Sequence, residues 1–268
     1  MKNSFLLAAG LSMLFVACQQ DDAPSPAYPV DKPYQLKTIA YKNSGATGQF
    51  TYNADSSLKQ IAWSSSSAAA DMFYEYEQGK MVKTGMSNSL YTHHYYYNGN
   101  KVIKVVTQTA GTPGNGYYME YTYNVKGQVV TQKYFKTNEA GTQLKSNSDY
   151  VYDANGLLTS ITTDDGNTKF TYKIEAYSDE YALAPWAFIP HSLSEFYPIY
   201  NHPVITSMKR LPAKIVKSQK VGAAAEETTR IDQQLYTITN KKITRLIQIT
   251  DYPGHPELHV ADTATFSY

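Results

Sequence analysis

The sequence is poor in several features that would point to a familiar function. Cys18 is the one cysteine among 268 residues, so no disulfide can form within the chain. The 24 basic and 23 acidic residues nearly cancel, whereas a nucleic-acid surface needs a clustered basic patch. Phosphate-loop, dinucleotide, nucleophile-elbow and metalloprotease motifs are missing. We therefore predict a protein that is not an enzyme, needs no cofactor and does not bind nucleic acid.

The longest apolar run lies at the N-terminus. Lys2 precedes an apolar stretch over residues 5–16, which is shorter than the roughly 20 residues that a transmembrane helix takes. Its length and place are those of a secretory signal. The run ends in Leu-Phe-Val-Ala-Cys at residues 14–18, which resembles the lipobox of bacterial lipoproteins. That resemblance implies removal of residues 1–17 and acylation (palmitate) of Cys18, which anchors the chain in a membrane. An ordinary signal peptide with a chance cysteine is the alternative.

A short linker follows the cysteine. Gln19-Gln20-Asp21-Asp22 leads into a stretch with prolines at 24, 26 and 29, which favours an extended tether over residues 18–33. The acidic pair resembles the signal that sends Bacteroidota-type lipoproteins to the outer face of the outer membrane. A solvated linker with no sorting role is the alternative. We expect an outer-membrane, lipid-anchored protein displayed on the cell surface.

Tyrosine is the dominant residue of the remaining chain, with 25 copies. Aromatic residues recur two positions apart, which places both rings on one face of a strand. The intervening residues suit the other face, as in a half-buried strand. The pairs are Phe50/Tyr52, Tyr74/Tyr76, Tyr95/Tyr97, Tyr121/Tyr123, Tyr150/Tyr152, Phe170/Tyr172 and Phe266/Tyr268.

A turn and a return strand follow most of these pairs. The clearest copy, at residues 150–158, reads Tyr-Val-Tyr-Asp-Ala-Asn-Gly-Leu-Leu, and residues 121–129 are similar. Asp or Asn can hydrogen-bond the backbone two residues on, and Gly accepts the positive φ of a tight hairpin. The copy at residues 50–58 lacks the glycine. Each copy is predicted to be one β-hairpin that needs its neighbours to bury an aromatic face.

The pattern Tyr-x-Tyr-Asp-x-x-Gly-x-Leu of residues 150–158 resembles the YD repeat of Rhs-type surface proteins. The whole chain is similar to Bacteroidota lipoproteins of unknown function that carry degenerate copies. Lys209-Arg210-Leu211-Pro212-Ala213-Lys214-Ile215 resembles a strand start common in them. This resemblance implies a porin-like antiparallel meander. We predict one all-β domain over residues 34–268, an open barrel or strongly curled sheet of about twelve to sixteen strands.

One segment interrupts the repeats. Residues 177–207 contain four prolines, which forbid a continuous strand, so we expect an irregular cap with a short helix at 192–197. A membrane-spanning barrel is the competing architecture. It needs outward apolar bands over about 9–11 residues per strand, whereas these alternations are short and charged on the non-aromatic side.

The candidate ligand-stacking residues are Trp63, Trp186, Tyr197 and Tyr200, because exposed tryptophan and tyrosine rings stack on sugars or protein partners. The alternative is that these rings fill the core. His255, Glu257 and His259 have the chemistry of zinc ligands, but the surrounding prolines favour a surface loop, so no metal site is predicted.

The leading functional prediction is a non-catalytic surface lipoprotein that binds a glycan or another envelope protein. A structural envelope scaffold without a soluble ligand is the second hypothesis. A hydrolase with its site near residues 177–207 is the third.

Overall fold

The computed structural model describes residues 35–65, 69–111, 116–181 and 202–268. Residues Asp31–Tyr268 form one compact unit. Sixteen strands, numbered in chain order, each pair antiparallel with their sequence neighbours. They are β1 (Thr38–Tyr41), β2 (Thr47–Tyr52), β3 (Leu58–Ser64), β4 (Ala69–Glu77), β5 (Lys80–Met86), β6 (Tyr91–Asn98), β7 (Lys101–Thr109), β8 (Gly116–Tyr123), β9 (Val129–Asn138), β10 (Gly141–Tyr152), β11 (Leu158–Asp164), β12 (Thr168–Tyr177), β13 (Pro212–Val221), β14 (Glu227–Thr239), β15 (Lys242–Asp251) and β16 (Val260–Ser267).

The sheet closes on itself. Strand β1 pairs with β16 over four residues, from Thr38 opposite Ser267 to Tyr41 opposite Ala264. The first and last strands therefore have no free edge, and the sixteen strands form a closed barrel. The predicted all-β antiparallel meander is confirmed, and its sheet closes fully into a barrel, whereas an open barrel or a strongly curled sheet was expected.

Side chains alternate between a hydrophobic inner wall and a polar outer wall. Along β4, Met72 and Tyr74 are buried, while their neighbours Asp71 and Glu75 are exposed. Among the described residues, one hydrophobic core draws a buried side chain from every strand except β14, which adds the half-buried Tyr236. The outer wall carries ion pairs between Lys83 and Glu75 and between Lys104 and Glu120, and a third, nearer the strand ends, between Lys214 and Glu175.

The tight turns have the geometry that their sequences predicted. Gly127 and Gly156 adopt φ of 77° and 82°. In the copy that lacks a glycine, Ser56 takes the left-handed conformation instead, with φ of 70°. Asn240 and Lys241 both have positive φ, as a two-residue hairpin turn requires.

The register of the hairpins shifts at a repeated position. The shift lies between Thr51 and Tyr52, between Thr122 and Tyr123, and at the matching place in other hairpins. Each shift leaves one extra residue in the return strand, which is a β-bulge. The bulge lies next to the second tyrosine of each pair, so it belongs to the repeat.

The insertion between β12 and β13 is described at residues 178–181 and 202–211. Its helix α1 (Pro203–Thr206) is one turn long, begins with Pro203 and is capped by His202. Val204 belongs to the hydrophobic core. The helix predicted at 192–197 lies outside the described residues. Among the described residues, no helix is long and apolar enough to cross a membrane.

Candidate functional site

One end of the barrel, the tyrosine end, carries a repeated hydrogen bond. A tyrosine near the end of each even-numbered strand points to the carbonyl that begins the preceding odd-numbered strand. Tyr97 donates to Met81 O over 2.7 Å, and Tyr123 donates to Val102 O over 2.6 Å. We call these residues the tyrosine ring: Tyr52, Tyr76, Tyr97, Tyr123, Tyr152, Tyr177, Tyr236 and Tyr268.

The tyrosine ring completes the sheet where the backbone ladder stops. Between β5 and β6 the last paired residues are Lys83 and His94, two positions short of Met81. The β9–β10 ladder likewise ends two positions short of Val129, whose carbonyl accepts from Tyr152 over 2.9 Å. The hydroxyls thus satisfy buried carbonyls that would otherwise lack a partner.

Two members depart from the simple repeat. Tyr76 lies beside the carbonyl of Leu58 but outside hydrogen-bond geometry. In β12 the ring position belongs to Tyr177, not to the Phe170/Tyr172 pair that the spacing suggested. Burial raises the pKa of Tyr97, Tyr152 and Tyr268 to about 12, so these hydroxyls remain protonated donors at neutral pH.

His202 lies one layer inside the tyrosine ring. Its Nδ1 accepts from Val204 N–H, so Nε2 carries the proton and donates to Gln132 Oε1 over 2.8 Å. Tyr150 donates to the same oxygen over 3.2 Å, and Tyr121 packs edge-on against the imidazole. Burial lowers the pKa of His202 to about 3, so the imidazole is neutral. These contacts fix the insertion inside the barrel.

The opposite end, the loop end, presents aromatic rings on the inner wall. Tyr91, Tyr117 and Tyr134 lie on β6, β8 and β9, with ring centroids 6.5 Å and 5.6 Å apart. We call them the aromatic arc. Tyr91 is 48% exposed, while Tyr117 and Tyr134 are half-buried against the core. Tyr91 is therefore the exposed member of the aromatic arc, whereas Tyr117 and Tyr134 are partly buried, as the members of the tyrosine ring are.

Trp63, one of the predicted stacking residues, lies on β3 and packs partly buried against the core. Its ring centroid is 6.4 Å from that of Tyr41. Gly48 on β2 leaves room for the indole, since a Cβ there would lie 3.0 Å from ring atoms of Trp63. The structure thus places Trp63 on the inner wall, and its role in ligand stacking stays a prediction.

Several predicted positions fall outside the described residues. Trp186, Tyr197 and Tyr200 do so, as do Cys18 and the domain boundaries before residue 34.

The histidine-rich loop near the C-terminus splits into two pairs. His255 contacts Glu257 at 3.1 Å, whereas His259 contacts Asp251 at 2.6 Å. Among the described residues no three His, Cys, Asp or Glu side chains come together as a metal site needs.

A set of polar residues on the inner wall was not predicted from the sequence. Arg230, Asp232 and Gln234 alternate along β14, and Thr250 lies opposite Asp232 on β15. Asp232 accepts from Arg230 Nε over 2.9 Å and from the Thr250 hydroxyl over 2.7 Å. We call these four residues the polar strip. In the ring of sixteen strands β14 is eight strands from β6, six from β8 and five from β9, so the strip lies on the wall opposite Tyr91.

A sequence signal for the polar strip existed. The residue two positions before a ring tyrosine is aromatic at Phe50, Tyr74, Tyr95, Tyr121, Tyr150 and Phe266. Before Tyr177 it is Glu175 and before Tyr236 it is Gln234, so β12 and β14 break the repeat. The aromatic arc gave a weaker signal, because its tyrosines lie outside the paired positions.

Comparison with known proteins identifies the fold. No protein-family model and no curated protein matches the sequence. The structure is similar to a porin-like protein from Bacteroides uniformis, with a TM-score of 0.54, 15% identity, and 87% of this chain and 94% of that one covered. A porin-like protein from Bacteroides vulgatus gives a TM-score of 0.42 at 12% identity, covering 88% and 99%. The first likeness confirms the porin-like fold that the sequence resemblance implied.

Proposed function

We propose that this protein is a lipid-anchored, non-catalytic envelope protein that binds its ligand at the loop end of the barrel. The aromatic arc carries the proposal, because Tyr91, which is 48% exposed at the loop end, continues into a row of inward tyrosine rings, and tyrosine rings stack on ligands. A sixteen-strand barrel is wide enough to hold more than its own wall side chains.

The polarity of the wall supports a barrel that stands in water. Its core is inside, and its outer wall carries the mid-strand ion pairs of Lys83 and Lys104. A Lys at the lipid-facing midplane of a membrane barrel costs about 2–4 kcal/mol. The lipid on Cys18 would then hold the protein at the membrane, and surface display follows from the acidic pair after it.

The place of the termini gives the barrel an orientation. Leu36 and Tyr268 both lie at the tyrosine end, where they take part in the ring. We therefore propose that the lipid anchor holds the protein from this end. The loop end, with the aromatic arc, then points away from the membrane and toward external ligands.

Vesicle flotation tests the anchoring. The acylated protein should float with outer-membrane vesicles, whereas Cys18→Ala should stay in the aqueous fraction as a folded, β-rich protein. Insertion of Cys18→Ala into vesicles without acylation would refute a water-facing barrel.

Retention assays test the binding role. Native gels that contain soluble polysaccharides, and pull-downs from solubilised envelope proteins, should both be run on Cys18→Ala. Tyr117→Ala should weaken retention of the bound class. Tyr118→Ala is the matched control, because Tyr118 is the next residue of β8 and stacks on Phe135 on the other face.

A structural scaffold is the second candidate, and the tyrosine ring and filled core favour it. It predicts that neither polysaccharide nor envelope protein is retained by the parent. Equal retention of the Tyr117→Ala and Tyr118→Ala variants would mean that the aromatic arc is not part of the binding site.

A further inference from the structure

The two ends of the barrel carry charge of opposite sign. Because the sheet is an antiparallel meander, each connection from an even-numbered to an odd-numbered strand lies at the tyrosine end, and the others lie at the loop end. We define the rim of an end as its connections, the strand residues that border them and, at the tyrosine end, residues 35–37. Within the described residues the tyrosine-end rim has eight basic and five acidic side chains, whereas the loop-end rim has one and seven.

The charged residues of each rim come from most of its connections. The basic side chains of the tyrosine-end rim are Lys37, Lys80, Lys101, Lys126, Lys209, Arg210, Lys241 and Lys242. Its acidic side chains are Asp55, Glu77, Asp153, Asp179 and Glu180. The loop-end rim has Lys42 against Glu139, Asp164, Asp165, Glu226, Glu227, Asp251 and Glu257. The described side chains therefore sum to a positive charge at the tyrosine end and to a negative charge at the loop end.

The tyrosine ring positions three of these lysines. In three hairpins the lysine that begins the odd-numbered strand directly precedes the residue whose carbonyl accepts from a ring tyrosine, and its ammonium lies over that tyrosine. The pairs are Lys80 with Tyr97, Lys101 with Tyr123 and Lys242 with Tyr268, with the nitrogen 5.6, 5.6 and 5.0 Å from the ring centroid. A cation is attracted to the face of a tyrosine ring at this distance. The hairpin repeat thus brings positive charge to this rim.

The same rim also presents an apolar side chain to its surroundings. Val125, in the turn after β8, is the most exposed of the large hydrophobic residues that the structure describes. It lies next to Lys126, which is exposed as well. An apolar side chain beside a lysine suits the boundary between lipid and water, because the apolar group can enter the headgroup layer while the ammonium contacts phosphate. This turn therefore offers both kinds of contact that a lipid surface accepts.

We infer that the tyrosine end docks on an anionic lipid surface, with its lysines against the lipid phosphates. This inference rests on the proposed lipid anchor, because the chain from Cys18 reaches β1 through Lys37, on the same rim. A basic patch beside a lipid anchor adds an electrostatic contact with anionic headgroups, and that contact weakens beyond a Debye length. The acidic rim of the loop end is repelled by the same surface. Attraction at one end and repulsion at the other hold the barrel with its loop end away from the membrane.

Energy transfer from a label on the protein to an acceptor on lipid headgroups measures which end lies on the membrane. In the acylated protein Cys18 takes no label, so Ala54→Cys reports the tyrosine end and Ala140→Cys reports the loop end, both at exposed turn positions. The vesicles contain roughly one third phosphatidylglycerol in phosphatidylcholine. Transfer from the label at position 54 should fall about twofold when salt rises from about 0.05 M to about 0.5 M. On pure phosphatidylcholine it should be lower and independent of salt, and transfer from position 140 should be low throughout.

Two double variants with the same net charge locate the contact. Lys126→Gln with Lys209→Gln removes two exposed charges from the tyrosine-end rim and should abolish about half of the salt-sensitive transfer. Lys169→Gln with Lys220→Gln is the matched control, because these exposed lysines pair across β12 and β13 near the loop end. The control should keep the parental transfer. An equal loss in both double variants, or no loss in the first, would overturn the inference.

The outcomes separate this inference from the proposed function. If the acylated protein stays on both kinds of vesicle while transfer from position 54 is the same on both and independent of salt, the lipid anchor stands and the docking is wrong. If the protein associates with neither kind of vesicle, the lipid anchor and the docking both fail.

Discussion

The two ends of the barrel use tyrosine in opposite ways. At the tyrosine end each hydroxyl lies against a backbone carbonyl, as Tyr152 does with Val129, and the rings are pinned between strands. At the loop end Tyr91 is 48% exposed, and within the described part of the chain its hydroxyl makes no side-chain hydrogen bond. The same residue type therefore closes the sheet at one end and is exposed, at Tyr91, at the other. The local backbone determines which of these two roles a tyrosine has, since the tyrosine ring forms where the hydrogen-bond ladder between two strands stops.

The largest contrast is expected from truncating one tyrosine at each end. Tyr121 is fully enclosed and packs on His202, so Tyr121→Ala should lower the free energy of unfolding by about 4 kcal/mol, as for other large-to-small core changes. Tyr91→Ala should stay within about 0.5 kcal/mol. Urea unfolding of both variants, with matched m-values, measures the difference. Similar losses would mean that the ends do not differ in packing.

Acid should weaken the interior through two buried histidines. Burial lowers the pKa of His202 to about 3 and, with the neighbouring His94, that of His93 to about 4. The unfolded chain binds a proton at each near pH 6.5 and the folded chain does not, so stability is full above pH 6.5 and falls as pH drops. Between pH 7 and pH 5 each should cost about 2 kcal/mol.

The variant His202→Gln isolates the contribution of His202 to this pH dependence of stability. Its loss of stability between pH 7 and pH 5 should be smaller than the parent's by about 2 kcal/mol. Chemical denaturation at several pH values measures it. An unchanged pH profile would mean that His202 has the same pKa in the folded and the unfolded chain.

The smallest loss of stability is expected from replacing turn glycines, and it should be similar at the two ends of the barrel. Gly156 at the tyrosine end and Gly166 at the loop end have φ of 82° and 89°. Alanine at either should cost about 1 kcal/mol of backbone strain. At Gly156 the added Cβ would also meet the flexible Gln128 side chain at 3.2 Å. A much larger cost at Gly156 would show that the turns, and not the tyrosine ring, set the stability of that end.

The strands and turns of the barrel wall could be predicted from the sequence, whereas the contacts inside the barrel could not. Aromatic pairs such as Tyr121/Tyr123 predicted the strand, the face that it buries and the turn that follows, because these features depend on local periodicity. The closure of β1 on β16 joins residues 229 positions apart, such as Thr38 and Ser267, and no local pattern encodes it. The contact of His202 with Gln132 spans 70 positions and could not be predicted for the same reason.

For the candidate site, the sequence predicted the type of residue and not the positions. Aromatic stacking was expected, and Trp63 does lie on the inner wall. The aromatic arc depends on how strands β6 to β9 stagger at the loop end. Gln234 could have been found as a break in the repeat, but its meaning depends on which residues face it across the barrel.

The most direct test of this account is amide hydrogen exchange, resolved by residue, in Cys18→Ala protein carrying Tyr152→Phe or Tyr91→Phe. Loss of the Tyr152 hydroxyl leaves Val129 O without its partner, at a cost of about 1 kcal/mol. We predict faster exchange where β9 and β10 meet at the tyrosine end in Tyr152→Phe, and parental rates in Tyr91→Phe. Parental rates in both variants would contradict the claim that the tyrosine hydroxyls hold this end of the barrel together.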